Sequence, residues 1–208
     1  MLAELYRGPE DGPRVRAMMN TSIDGAIAGA DGISASLRNP DDSFVFSVLR
    51  GLADVILVGA GTVRVEDYRR VPEHAGLAVV TRSGVMPASI GDNPRSLLLT
   101  PADAVARAVT ASGLPADRVL AAGSPRDWVD RLVQRGFHTI QVEGGAQVLG
   151  ALAASGVLTE LCVSVTHRTV GGPSPRILAG AAHDQDWELL ALVVGEHATV
   201  TRYRRRDT

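Results

Sequence analysis

The chain has 208 residues, 45% of them apolar and 21% charged, with a formal net charge of −2. That is enough for one generous domain burying roughly 70% of its unfolded surface, and the balance is that of a globular protein rather than a disordered or fibrous one. All 21 positive side chains are arginine and lie scattered, apart from the run Arg202, Arg204, Arg205 and Arg206, so nucleic-acid binding is not expected and the run reads as a solvated terminus.

Cys162 is the only cysteine, which excludes an internal disulfide and a zinc site of several cysteines. Set in the apolar run Leu161 to Val165, it is expected to be buried and inert. No stretch approaches the roughly 20 apolar residues of a membrane span. The N-terminus lacks a signal-peptide core, so the expected location is the cytoplasm.

Residues 1–13, with Gly8-Pro9 and Gly12-Pro13, read as a loose leader. Val15 to Asn20 predicts a first strand, followed by turn chemistry at Asp24-Gly25 and Asp31-Gly32 and a loop rich in Gly, Ala and Ser up to Asn39. Asn39-Pro40-Asp41-Asp42 starts a helix with Asn39 as N-cap. Its expected buried face holds Phe44, Val48, Leu49 and Leu52, widened by Val45 and Phe46. Val55 to Val58 is wholly apolar and β-branched, a strand buried on both faces. Gly59-Ala60-Gly61 then turns the chain, and a helix follows from Thr62.

Short apolar runs at 77–80, 96–99, 119–122 and 139–142 predict further strands. Between them, Thr100-Pro101-Ala102-Asp103 and Ser124-Pro125-Arg126-Asp127 open helices to about Ser112 and Arg135, the second stopped by Gly136. Residues 145–154 form a helix stopped by Gly156. Strand-helix alternation implies a mostly parallel sheet flanked by helices. Glu160 to Val165, Trp187 to Val194 and Ala198 to Tyr203 are strand-like, and Gly195-Glu196-His197 is of hairpin length, so an antiparallel C-terminal hairpin ends the sheet. One domain over 1–208 is expected.

No G-x-S-x-G elbow and no H-x-x-x-H pair occur among His74, His138, His167, His183 and His197, which speaks against a nucleophilic hydrolase and a metal enzyme. Three strand ends are candidate ligand positions: Gly59, Gly61 and Thr62; Thr81, Arg82 and Ser83; and Glu143, Gly144, Gly145 and Ala146. Ligands in open α/β sheets bind outside the carboxyl ends of strands, and glycine turns there leave backbone N–H groups for phosphate. The first lacks the third glycine of a dinucleotide fingerprint, with Arg64 in its place. At the second, an arginine with two hydroxyls suits a 2′-phosphate, as in NADPH, better than ribose hydroxyls. Glycine turns without a ligand, a charged turn, and a tight β-to-α connection are the structural alternatives for the three.

Four motifs in order resemble the pyrimidine reductase family of riboflavin biosynthesis. They are Ser22-Ile23-Asp24-Gly25, Gly59 to Arg64 with Asp67 soon after, Val142 to Gly145, and Gly171-Gly172. The resemblance covers residues 14–205 and implies a dihydrofolate-reductase-like α/β fold and an NADPH-dependent reductase. Its substrate would be 5-amino-6-(5-phosphoribosylamino)uracil or the deaminated form, and the protein would be a homodimer. It implies cofactor binding at Gly59, Gly61, Thr62, Glu143, Gly144 and Gly145, with Thr81 to Ser83 at the 2′-phosphate. It implies substrate binding at Asn20, Ser22, Asp24, Asp67 and Arg69, with Asp67 managing a proton or orienting ribose hydroxyls. The chain departs from the family at Ala26, where lysine is usual, at Glu66-Asp67-Tyr68, where Asp-Asp-Pro is usual, and at His167, where proline is common. One cysteine and no H-x-E motif leave no place for the zinc deaminase of bifunctional relatives. Dihydrofolate reduction and non-catalytic NADPH binding are the rival readings.

Overall fold

The computed structural model describes residues 2–7, 12–66, 71–85, 90 and 93–206. In chain order the elements are α1 (Leu2–Tyr6), β1 (Arg14–Ser22), α2 (Pro40–Gly51), β2 (Val55–Gly59), α3 (Ala60–Val65), β3 (Gly76–Val80) and β4 (Ser96–Thr100). There follow α4 (Val105–Ser112), β5 (Val119–Ala121), α5 (Pro125–Gln134), β6 (Thr139–Val142), α6 (Ala146–Ala154), β7 (Glu160–Thr166), β8 (Trp187–Val194) and β9 (Ala198–Arg205). The strands form one sheet in the order β5-β4-β3-β2-β6-β1-β7-β9-β8. β1 to β7 run parallel, and β9 lies antiparallel to both β7 and β8. The mostly parallel sheet with an antiparallel C-terminal hairpin is therefore as the sequence implies.

The sheet is covered on both faces, which is why β2, β3 and β4 are buried throughout. On one face Val55, Leu57, Ile140 and Val142 pack with Trp128 and Leu132 of α5 and with Leu149 and Leu152 of α6. On the other, Ile56, Val58 and Val79 meet Val63 of α3 and Ala108 of α4, while Met18, Cys162 and Val200 meet Val45 and Leu49 of α2 and Tyr6 of α1. Cys162 is fully buried, and burial pushes its thiol up to about 12. No helix among the described residues is long and apolar enough to cross a membrane.

Local start signals behave as their chemistry dictates. Asn39 accepts a hydrogen bond from the Asp42 N–H, with Pro40 in the first turn of α2. Ser124 and Asp127 form a reciprocal capping box on α5. After Thr100-Pro101 the chain first makes a 3₁₀ turn, Ala102–Ala104, before α4.

Three expectations are corrected. Phe44 is 62% exposed. The stripe that α2 buries is Asp42, Val45 and Leu49, spaced at three and four residues, and Phe44 lies off it. The leader is not loose over residues 2–7: α1 docks with Tyr6 fully buried. The run of arginines is not a solvated terminus at its start, because Arg202 lies within β9 and is buried. One cluster explains both. Glu160 on β7 is paired at 2.6 Å with Arg202, at 3.5 Å with Arg14 and at 4.0 Å with Arg16. Arg16 donates to the Tyr6 carbonyl at 2.9 Å, and Arg202 donates to the Leu5 carbonyl. Two buried guanidiniums thus satisfy carbonyls at the carboxyl end of α1, where cations are favoured.

Candidate active site

Because β3, β2, β6, β1 and β7 are parallel and lie in this spatial order, their carboxyl ends share one edge. The three strand ends singled out in the sequence belong to β2, β3 and β6, which are immediate neighbours. Gly59 closes β2 and is the N-cap of α3, which begins at Ala60 rather than Thr62. Its backbone is extended, so space rather than φ calls for glycine: a Cβ there would lie 3.0 Å from Val148 of α6. Gly144 and Gly145 both have positive φ, +131° and +77°, and a Cβ on Gly145 would meet Thr62 Oγ1 at 3.4 Å. The starts of α3 and α6 are thereby pressed together, with the Gly59 N–H donating to the Gly144 carbonyl.

Beside this junction opens a cavity of about 710 Å³, within the range of small-molecule sites. Its walls are residues 27–34 after β1, Gly61, Thr62, Val65 and Glu66 on and after α3, and residues 170–175 after β7. Hydrogen bonds stitch these walls together. The Ile23 N–H donates to the Arg168 carbonyl at 2.9 Å, and the Ile27 N–H to Ser174 Oγ at 3.1 Å. Ser34 Oγ donates to Glu66 at 2.5 Å. Asp24 is the central clasp: its carboxylate accepts from Ser22 Oγ at 2.5 Å, from the Val170 N–H at 3.1 Å and from the Gly171 N–H at 2.7 Å. These three donors hold its pKa down at about 2, the Ser22 hydroxyl contributing most.

Residues 13–200 match the RibD C-terminal domain family. The chain belongs to that family. Among solved structures, this RibD C-terminal domain is similar to a pyrimidine reductase-like protein of Corynebacterium diphtheriae, with 22% identity over 94% of this chain and 93% of that one and a TM-score of 0.81. It is similar to RibD of Acinetobacter baumannii, at 16% identity and a TM-score of 0.78, covering 94% of this chain and 58% of that one. Dihydrofolate reductase of Enterococcus faecalis, complexed with NADP(H), matches over 93% of this chain and 97% of that one, at 17% identity and a TM-score of 0.53. The fold is dihydrofolate-reductase-like. No curated protein matches the chain.

Within this RibD C-terminal domain the expected site residues fall into three groups. Gly61 and Thr62 line the cavity itself. Gly59, Gly144, Gly145 and Ala146 form the junction next to it, while Ser22, Asp24 and Asn20 are engaged by their own neighbours. Asn20 donates to the Leu37 carbonyl at 3.0 Å and accepts from Thr166 Oγ1 at 2.8 Å. Thr81 and Ser83 lie one strand beyond β2 on the same edge, outside the cavity wall, with their hydroxyls facing each other at 3.5 Å and Arg82 exposed. Asp67 and Arg69 lie outside the described residues. The Glu143 carboxylate points away from solvent and is gripped by Arg50 of α2 through bonds of 2.7 and 2.6 Å. Burial pushes its pKa up, and the guanidinium opposes that shift.

Sequence reading missed several members of the site. Arg50 stands over the Phe46 ring at 4.5 Å and reaches Glu143 across the core. Arg107 of α4 donates to the Ser83 carbonyl at 2.8 Å, bringing a second cation beside Arg82. Residues 27–34, read only as a loop, supply a whole wall. Asn, Asp and Ser turn chemistry near Asp24 was visible, but its partners are 146 and 147 positions away.

The clasp makes a testable statement. Asp24→Ala should unfasten residues 170–175 and weaken ligand binding in the cavity by about tenfold to a hundredfold, since small misplacements of positioning groups are costly, with the melting temperature nearly unchanged. Because the folded pKa lies below the unfolded value of about 3.9, the wild-type clasp is intact above about pH 4 and is lost as pH falls through about 2. Amide exchange at Val170 and Gly171 measures both effects. Unchanged protection in Asp24→Ala would remove the clasp.

Proposed function

We propose that this chain is an NADPH-dependent reductase of a pyrimidine- or pteridine-like compound, with 5-amino-6-(5-phosphoribosylamino)uracil or its deaminated form as substrate. The reading is supported by membership of the RibD C-terminal domain family. The observation that carries it is the adjacency of β3, β2 and β6, whose glycine- and hydroxyl-bearing ends make one continuous edge beside the cavity. The wall also fits a flat ligand at close range. A Cβ on Gly171 or Gly172 would meet nothing within 4 Å, and one on Gly61 would meet only Arg64 at 3.9 Å, so bare backbone faces open space there.

In this reading Gly59, Gly61, Thr62, Gly144, Gly145 and Ala146 hold the cofactor. Thr81, Arg82 and Ser83, with Arg107, receive the 2′-phosphate. When bound, NADPH would supply a hydride to an imine or opened-sugar carbon. Glu143 contributes by fixing the turn before α6, through Arg50. Ser22 and Asp24 hold the substrate-side walls in place, and Ile27, Val65 and Val170 give the cavity an apolar lining. Asp67 is the proposed group for proton delivery or for orienting ribose hydroxyls, together with Arg69 as a substrate cation. The proposed setting is the cytoplasm.

The test is a side-by-side titration with NADPH and NADH. NADPH should bind tighter by about tenfold, or 1.4 kcal/mol, and Arg82→Ala should abolish that preference while leaving NADH affinity unchanged. Turnover of the ribosylaminouracil but not of dihydrofolate is expected. Binding of neither dinucleotide would end the reductase reading.

We further propose a homodimer. Leu189, Leu192 and Val194 of the edge strand β8 are 52, 56 and 70% exposed. A bulge between Leu189 and Ala191 keeps all three opposite Tyr203, Thr201 and Thr199, so they form one apolar face. Leu192→Asp should convert the dimer to a monomer in sedimentation equilibrium. A wild-type monomer would refute the assembly without touching the cofactor reading.

A further inference from the structure

A second cavity of about 320 Å³ lies on the edge of the sheet opposite the candidate active site. It opens where β4 and β5 begin, so it borders the amino ends of strands. Arg95, Arg118 and Arg135 line it together with Asp117, and Leu97 and Phe137 give it an apolar side. Two of the guanidiniums are held in place by backbone rather than by acids. Arg95 donates to the His74 carbonyl, and Arg135 donates to the Asp117 carbonyl. A carbonyl orients a guanidinium without neutralising it, and each guanidinium has five N–H donors.

Arg14, Arg16 and Arg202 share Glu160, Arg50 is paired with Glu143, and Arg204 with Glu188. None of Arg95, Arg118 and Arg135 makes an ion pair among the described residues. Arg107 and Arg131 likewise lack an ion pair among the described residues and donate to carbonyls, so what sets this cluster apart is that three side chains without an ion pair line one cavity. Three cations and one carboxylate therefore converge on one cavity in a chain whose net charge is −2. Like charges brought together cost free energy unless an anion relieves them. Pre-oriented guanidiniums are suited to bidentate recognition of phosphate.

We propose that this cavity binds a small phosphate monoester, separately from the reductase site. The three guanidiniums take the phosphate, and Leu97 and Phe137 take an apolar or aromatic portion of the ester. The volume is at the low end for small-molecule sites, where roughly 300 Å³ is the lower bound, which suits a monoester and is too small for a dinucleotide. The location at the opposite sheet edge means that occupancy does not compete with a ligand in the larger cavity.

The experiment uses inorganic phosphate and phenyl phosphate as probes, titrated at low ionic strength and followed by backbone amide NMR. Saturable shifts are expected at residues 95–97, 118–119 and 135–137. Arg118→Ala should weaken binding by about tenfold or more, as expected for loss of one charge-assisted contact. The Arg118 side chain has no hydrogen bond among the described residues, so the variant should melt like wild type. Arg126→Ala removes the same charge from α5, outside the cavity lining, and should bind like wild type. Tighter binding of phenyl phosphate supports the ester, and equal affinity for the two probes overturns the ester in favour of free phosphate. Non-saturable shifts, or equal losses in Arg118→Ala and Arg126→Ala, overturn the site. None of these outcomes depends on whether the chain is a reductase.

Discussion

Glu160→Ala should lose about 3–5 kcal/mol of folding stability in denaturant unfolding, the usual cost of leaving a buried charge unpaired. Glu160 is nearly buried, and its carboxylate is the shared counter-charge of Arg14, Arg16 and Arg202. Arg16 is fully buried. In the variant it keeps the Gln141 side chain at 3.0 Å and the Tyr6 carbonyl, but faces two other guanidiniums with no acid between them. Arg202 also loses two bonds, of 2.6 and 3.2 Å. The same change should release α1, because the two arginines that hold its last carbonyls are no longer fixed. Proteolysis near residue 7 should then precede global unfolding. A loss below about 1 kcal/mol would mean that water reaches this cluster and screens it.

Arg50→Met should cost about 3 kcal/mol at pH 8, with part of the loss recovered at pH 5. The methionine keeps most of the volume against Phe46 but removes the guanidinium that grips Glu143. The Glu143 side chain is wholly buried, and burial already raises its pKa. Removing Arg50 takes away its opposition to that shift, so the folded carboxyl takes up a proton more readily than in wild type. A group raised in the folded state contributes stability that is present below the unfolded value of about 4.3 and lost as pH rises through the folded value. The variant should therefore unfold more easily with rising pH, with a steeper slope than wild type. Equal losses at pH 5 and pH 8 would show that Glu143 finds another cation.

These two pairs also show why part of the site was hidden in the sequence. Val55 to Gly61 was legible because a β-branched apolar run and a glycine turn are local events, and β2 and α3 meet at Gly59. Thr139 to Val142 and Trp187 to Val194 were legible for the same reason. Asn39 and Ser124 could be read as caps because a cap is a contact over three residues. Arg50 and Glu143 are 93 positions apart, and Glu160 and Arg202 are 42 apart. No periodicity links such residues. Phe44 was misplaced because several apolar residues in succession on α2 leave the helix face ambiguous until its neighbours are known.

By itself the sequence determined most element types from β1 onward, the parallel sheet with its terminal hairpin, and the glycine- or hydroxyl-rich turns at three strand ends, all through interactions spanning a few residues. It also carried the four ordered motifs that place the chain among RibD C-terminal domains, a placement that residues 13–200 bear out. Only the tertiary structure decided the strand order, and hence that β3, β2 and β6 stand side by side. Only it made Asp24 a clasp on Gly171, buried Arg202, and gathered Arg95, Arg118 and Arg135 around one cavity. The reason is physical. Burial and ion pairing are settled by which distant segments pack together, and that follows from covering the whole sheet rather than from any one stretch of chain.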